Sequence, residues 1–134
     1  MSTKEIAAEF VQTIQTHFPN VKFKQPTENR SNRISIYVPN SKRNKRWMQV
    51  DWNKTVVNIA MDHLKGEISK ETVESSEIPY GKLDGNHTRI ILADNDDAVK
   101  LSIFINEPVD FKNQKFIGFL KEHFESYLRR VGET

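Results

Sequence analysis

Apolar residues near the N-terminus recur with a helical period. Ile6, Phe10, Ile14 and Phe18 stand four apart, with Val11 beside them. That spacing lays a single apolar stripe along a helix. Ser2 and Glu5 have the spacing of a capping box, in which each side chain satisfies an orphan backbone donor of the first turn. Pro19-Asn20 ends the helix, because the residue before a proline avoids the α region. The period then falls to two. "VKFKQ" predicts a short strand with Val21 and Phe23 inward, and "PTENRSN" predicts a turn.

Residues 33–61 carry the clearest alternation. Ile34, Ile36 and Val38 share one face of "RISIYV"; Met48, Val50 and Trp52 share one face of "RWMQVDW"; Val57, Ile59 and Met61 share one face of "TVVNIAM". A tight turn at Asn53-Lys54 would pair Trp52 with Thr55, setting Val50 opposite Val57 and Met48 opposite Ile59. Asparagine tolerates the positive φ that such a turn requires. Pairing Tyr37 with Trp47 likewise sets Ile36 opposite Met48 and Ile34 opposite Val50. A slip of one residue would turn the whole apolar set outward. The expected unit is a three-stranded antiparallel meander with a long basic loop, "PNSKRNK", at one end.

Downstream, "DHLKGEISKETVESSEIP" is acidic and weakly patterned, with a short helix expected near Ser69–Ser75. "LDGN" is a turn signal. "TRIILA" and "VKLSIFI" read as strands joined by the acidic turn "DNDD", with Val99, Leu101, Ile103 and Ile105 inward. "DFKNQKFIGFLKEHFESYLRRV" reads as a helix. Its stripe is Phe116, Leu120, Phe124 and Leu128, flanked by Ile117 and Val131, and Arg129 and Arg130 complement the macrodipole at its end. The fold class that follows is α+β. A single antiparallel sheet of about five or six strands has an N-terminal and a C-terminal helix packed on one face, since only those helices carry apolar stripes large enough to cover it. Residues 1–134 form one domain.

Composition adds exclusions. Hydrophobic residues at 37% and charged residues at 28% fit a folded domain and argue against disorder. The absence of cysteine removes disulfide and thiolate chemistry. No apolar run approaches membrane-spanning length, and "MSTKEIAAEF" has no apolar signal core. A cytoplasmic protein without a membrane partner is the expectation. The net charge of +2 conceals a polarity: +6 over residues 1–54, −6 over 55–110 and +2 over 111–134. Such asymmetry bears on partners rather than on fold.

The outer face of the meander is read by parity. It carries Arg33, Ser35 and Tyr37, then Trp47, Gln49 and Asp51, then Val56, Asn58 and Ala60. Arg33 opposite Asp51 is a cross-strand ion pair. Tyr37 opposite Trp47, flanked by Lys42, Arg43, Lys45 and Arg46, is a candidate nucleic-acid site. Bases stack on exposed rings, and phosphates meet Lys and Arg. An aromatic cross-strand pair also stabilises a sheet without any ligand, and a basic loop is ordinarily solvated. No named nucleic-acid-binding motif accompanies the patch.

Two alternatives stand beside it. The first is a protein-interaction module of adaptor, inhibitor or immunity type. It would use the basic loop 40–46 or the acidic segment 62–97, with Asp94, Asp96 and Asp97 as partner-binding residues. The second is a small metal-dependent hydrolase or nuclease. His17, His63, His87 and His123 lack metal-ligand spacing. His17 and His123, on helices beside core phenylalanines, read as residues at the edge of the core, and only a folded cleft would gather Asp62, His63, Asp84, His87 and Asp51. "DNDD" lacks the glycine and distal glutamate of a calcium loop. The dispersed glycines make no phosphate cradle, and no nucleophile elbow occurs. The expectation is a non-enzymatic binding protein with no catalytic residue, no metal site and no cofactor.

Overall fold

The computed structural model describes residues 1–39, 45–93 and 95–132. Its elements are α1 (Thr3–His17), β1 (Lys22–Lys24), β2 (Arg33–Tyr37), β3 (Arg46–Trp52), β4 (Val56–Asp62), α2 (Lys70–Glu74), β5 (Arg89–Ile91), β6 (Ala98–Phe104) and α3 (Gln114–Val131). All strands join one antiparallel sheet in the order β1-β2-β3-β4-β6-β5. The sheet and its terminal helices are the α+β architecture the periodicity predicts.

The helices sit on one face. α1 begins with the expected capping box: Ser2 Oγ accepts from Glu5 N at 3.1 Å, and Glu5 Oε1 accepts from Ser2 N at 2.9 Å. α1 packs over β3 and β4, with Phe10, Ile14 and Ile6 fully buried. α3 lies beside it, and Phe10 meets Phe116 while Phe18 meets Phe124. Between the helices and the sheet lie Ile36, Met48, Val50, Val57, Ile59, Met61, Val99, Leu101 and Ile103. Ser69 caps the short α2 by accepting from Thr72 N, and Val73 of α2 enters the same core. The acidic segment therefore joins the helix side of the sheet. Among the described residues no helix is long and apolar enough to cross a membrane.

Four local expectations need correction. The β3–β4 turn falls one residue later than the Asn53-Lys54 placement. Asn53 N donates to Val56 O at 3.1 Å, and Asn53 Oδ1 accepts from both Thr55 N and Val56 N. The carboxamide supplies the acceptor that a turn backbone would otherwise supply. Val50 thus pairs with Ile59 and Met48 with Met61. Each partner moves by two residues, so the buried face is unchanged. Second, Ile105 lies beyond the end of β6 and is 40% exposed. Third, Phe124 and Leu128 are only partly buried. The buried arc of α3 instead runs through Phe116, Phe119, Leu120, His123, Tyr127 and Val131.

The fourth correction changes the functional reading. Tyr37 pairs with Arg46, not Trp47, while Ile36 still pairs with Met48. One residue of β3, Trp47, is therefore extra. A bulge of this kind breaks the alternation, and Trp47 and Met48 both turn inward to complete burial.

Candidate functional site

The sheet face opposite the helices is uncovered, and register places its side chains in rows. One row runs Lys22, Tyr37, Arg46; the next runs Lys24, Ser35, Gln49, Ala60, Lys100, Ile91; the third runs Arg33, Asp51, Asn58, Ser102, Arg89. All of these side chains are exposed or half-buried. Antiparallel sheets tolerate one wetted face because the other supplies the core.

A polar ladder crosses this face. Arg33 Nε donates to Asp51 Oδ1 at 2.5 Å, as expected from the pairing. Gln49 Nε2 donates to Asp51 Oδ2 at 2.8 Å, and Arg46 Nη1 donates to Gln49 Oε1. Arg46 Nε donates in turn to Asp62 Oδ2 at 3.0 Å. Both arginines are more than 30% exposed at the side chain, so each pair contributes roughly 0–1 kcal/mol. Basic residues outnumber the acidic ones on the face. Lys22 and Lys45 have no ion pair among the described residues, and Lys24 Nζ lies 5.5 Å from the Tyr37 ring centroid, a cation–π contact.

The structure places the expected site residues unequally. Tyr37 and Arg46 occupy the outer face, and Lys45 is exposed at the stem of the loop. Lys42 and Arg43 lie outside the described residues. Trp47, expected beside Tyr37 on the outer face, is completely buried among Phe18, Phe124 and Tyr127. It has no face available to a base.

Of the acidic trio, Asp94 lies outside the described residues. Asp96 Oδ2 accepts from Ala93 N at 2.9 Å, and Asp97 pairs with Arg130 at 3.3 Å. Arg130 also donates to the carbonyls of His63 and Asp97. Arg129 grips Glu67 with Nε near both carboxylate oxygens. The Glu67 carboxyl is held below its ordinary range, first by the Ser126 hydroxyl and then by Arg129. The end of α3 thus ties down Glu67, His63 and Asp97.

A buried chain of hydrogen bonds was not legible beforehand. Trp47 Nε1 donates to His123 Nδ1 at 2.9 Å, His123 Nε2 meets His63 Nδ1 at 3.2 Å, and His63 Nε2 meets the Asp96 carbonyl at 3.0 Å. An indole N–H only donates. His123 therefore accepts at Nδ1 and carries its proton at Nε2, which it gives to His63 Nδ1. His63 in turn carries its proton at Nε2 and gives it to Asp96. Every position is filled with both rings neutral. Burial pushes the His123 pKa down to about 3 and lowers that of His63. His123, expected at the edge of the core, and His63 are both fully buried, whereas His17 is exposed.

His63 lies buried just past the end of β4 against α3, Asp51 and Asp62 lie on the outer face of the sheet, and Asp84 and His87 lie on an exposed loop. Among the described residues no group of three or more His, Asp or Glu side chains is gathered as a metal ion requires. No protein-family model, curated protein or solved structure matches the chain.

Proposed function

We propose that this domain binds single-stranded nucleic acid on the open sheet face, centred on Tyr37. The observation that carries the reading is the convergence of Lys22, Lys24 and Arg46 around that ring on an uncovered surface, with Lys45 exposed at the adjoining hairpin stem. Phosphates would meet the lysines, and a base would stack on Tyr37, as single-strand-binding surfaces do. Lys42 and Arg43 extend the basic run in the sequence. Trp47 has no part in this version of the site; its role is to hold the sheet. The acids on the face, Asp51 and Asp62, are each engaged by an arginine, which leaves the lysines to set the local field.

A protein-interaction module using segment 62–97 has less support, because the carboxylates of Asp96 and Asp97 already serve the chain's own backbone and Arg130. A metal-dependent hydrolase has no gathered set of metal-binding side chains behind it among the described residues.

The test is a fluorescence-anisotropy titration of single-stranded and duplex oligonucleotides at two salt concentrations. The single strand should bind more tightly at low salt, since each neutralised phosphate releases counterions. Replacing Lys22, Lys24 and Lys45 by Ala should flatten the salt slope. Tyr37→Ala should cost roughly 1–3 kcal/mol of binding, as lost stacking does. No binding at low salt, or binding indifferent to these residues, would eliminate the reading and favour a protein partner.

A further inference from the structure

The stems of the β2–β3 hairpin are bridged by a side chain from α3. Beyond the Tyr37–Arg46 pair, the next residues in register are Val38 and Lys45. Their backbones do not bond directly to each other. The Tyr127 hydroxyl of α3 stands between them: it accepts from Val38 N at 3.2 Å and donates to the Lys45 carbonyl at 2.5 Å. Tyr127 is fully buried, and its ring stacks on Trp47 with centroids 6.0 Å apart and planes 23° apart.

The bulge and the hydroxyl belong together. Turning Trp47 inward breaks the ladder at the residue that follows Lys45 and Arg46, and a broken ladder leaves backbone groups that need partners. A side chain from a distant helix supplies both partners with one atom. The path of the chain at Val38 and Lys45 is therefore tied to α3.

We infer that Tyr127 is a positioning residue for the candidate site, acting through the hairpin stems to fix Lys45 and Arg46 relative to Tyr37. This inference rests on the nucleic-acid reading above. Tyr127 itself is buried beneath the sheet and touches no ligand on the outer face. Its hydroxyl fixes the backbone at Lys45 and so holds Arg46 at one place on that face, so that fewer conformations must be lost when phosphate binds.

Tyr127→Phe retains the stacked ring and removes both bonds. Two measurements separate the outcomes. In amide hydrogen exchange the Val38 N–H should exchange about five- to tenfold faster, the factor that one net hydrogen bond represents. The amides of Ile59 and Leu101 in the central strands should keep their protection. In the anisotropy titration the variant should bind the single strand at least about threefold more weakly, a fraction of one hydrogen bond's worth.

Val73→Ala serves as the control, because it opens a cavity under α2 and destabilises the domain away from the hairpin. It should leave oligonucleotide affinity unchanged. Unchanged exchange at Val38 in Tyr127→Phe would overturn the clamp. Faster exchange with native affinity would overturn the positioning role, as would an equal loss of affinity in Val73→Ala. If the native chain binds no oligonucleotide, the site reading and the positioning role fall together. Val38 exchange then still decides whether the hydroxyl clamps the hairpin.

Discussion

Trp47 and His123 are joined by a hydrogen bond of 2.9 Å in which neither side chain is exposed to solvent. The bond links the bulged strand to the middle of α3, and His123 passes it on to His63. An unpaired polar group at such depth costs on the order of 1–3 kcal/mol, so this pair constrains both the bulge and the docking of the helix.

The first prediction concerns that pair. Trp47→Ala should destabilise the domain by about 3–5 kcal/mol, because a large ring leaves a cavity. Trp47→Phe restores much of the volume but strands His123 Nδ1, so it should still cost about 1–3 kcal/mol. The double variant Trp47→Phe/His123→Leu should lose less than the two single variants together. Denaturant unfolding of all four proteins reads the coupling. Strict additivity would show that the bond contributes nothing beyond packing.

The second prediction is a pH dependence. The folded-state pKa values of His123 and His63 lie below the ordinary value of 6.5, that of His123 near 3. Between the folded and unfolded values the unfolded chain holds more protons, so stability falls as pH falls. Each histidine contributes a slope of up to about 1.4 kcal/mol per pH unit below about pH 6.5. Asp62 and Asp97 oppose the effect at His63, while Arg130 adds to it. Chemical denaturation at pH 7 and pH 5 should show the loss, and His123→Leu should shrink it. A native chain equally stable at both values would contradict the neutral tautomers assigned to the relay.

A third prediction tests the buried face itself. Val50 is fully buried and pairs with both Ile34 and Ile59. Val50→Ala should cost about 1–3 kcal/mol through lost burial and a residual cavity. Gln49→Ala, one residue away on the wetted face, should stay within about 1 kcal/mol. Thermal melts of the two variants would show the contrast, and similar losses in both would mean that the outer face is covered.

The alternation in β2, β4 and β6, the two terminal stripes and the capping box determined the elements, their pairing order through the meander and the helix-bearing face. Those features are local: burying one face imposes a period, and the period is written in consecutive residues. The Arg33–Asp51 pair was legible for the same reason, since register alone sets the two opposite each other. The inward turn of Trp47 was not. Parity counts residues and has no term for an extra one, and the only local sign was two bulky apolar residues, Trp47 and Met48, in succession. What favours the bulge lies 76 residues away at His123, with the Tyr127 hydroxyl beside it at the hairpin stem. Only tertiary structure brings an indole, an imidazole and a phenol from two distant segments into one dry space. There, the need of each buried polar group for a partner decides which way the chain turns.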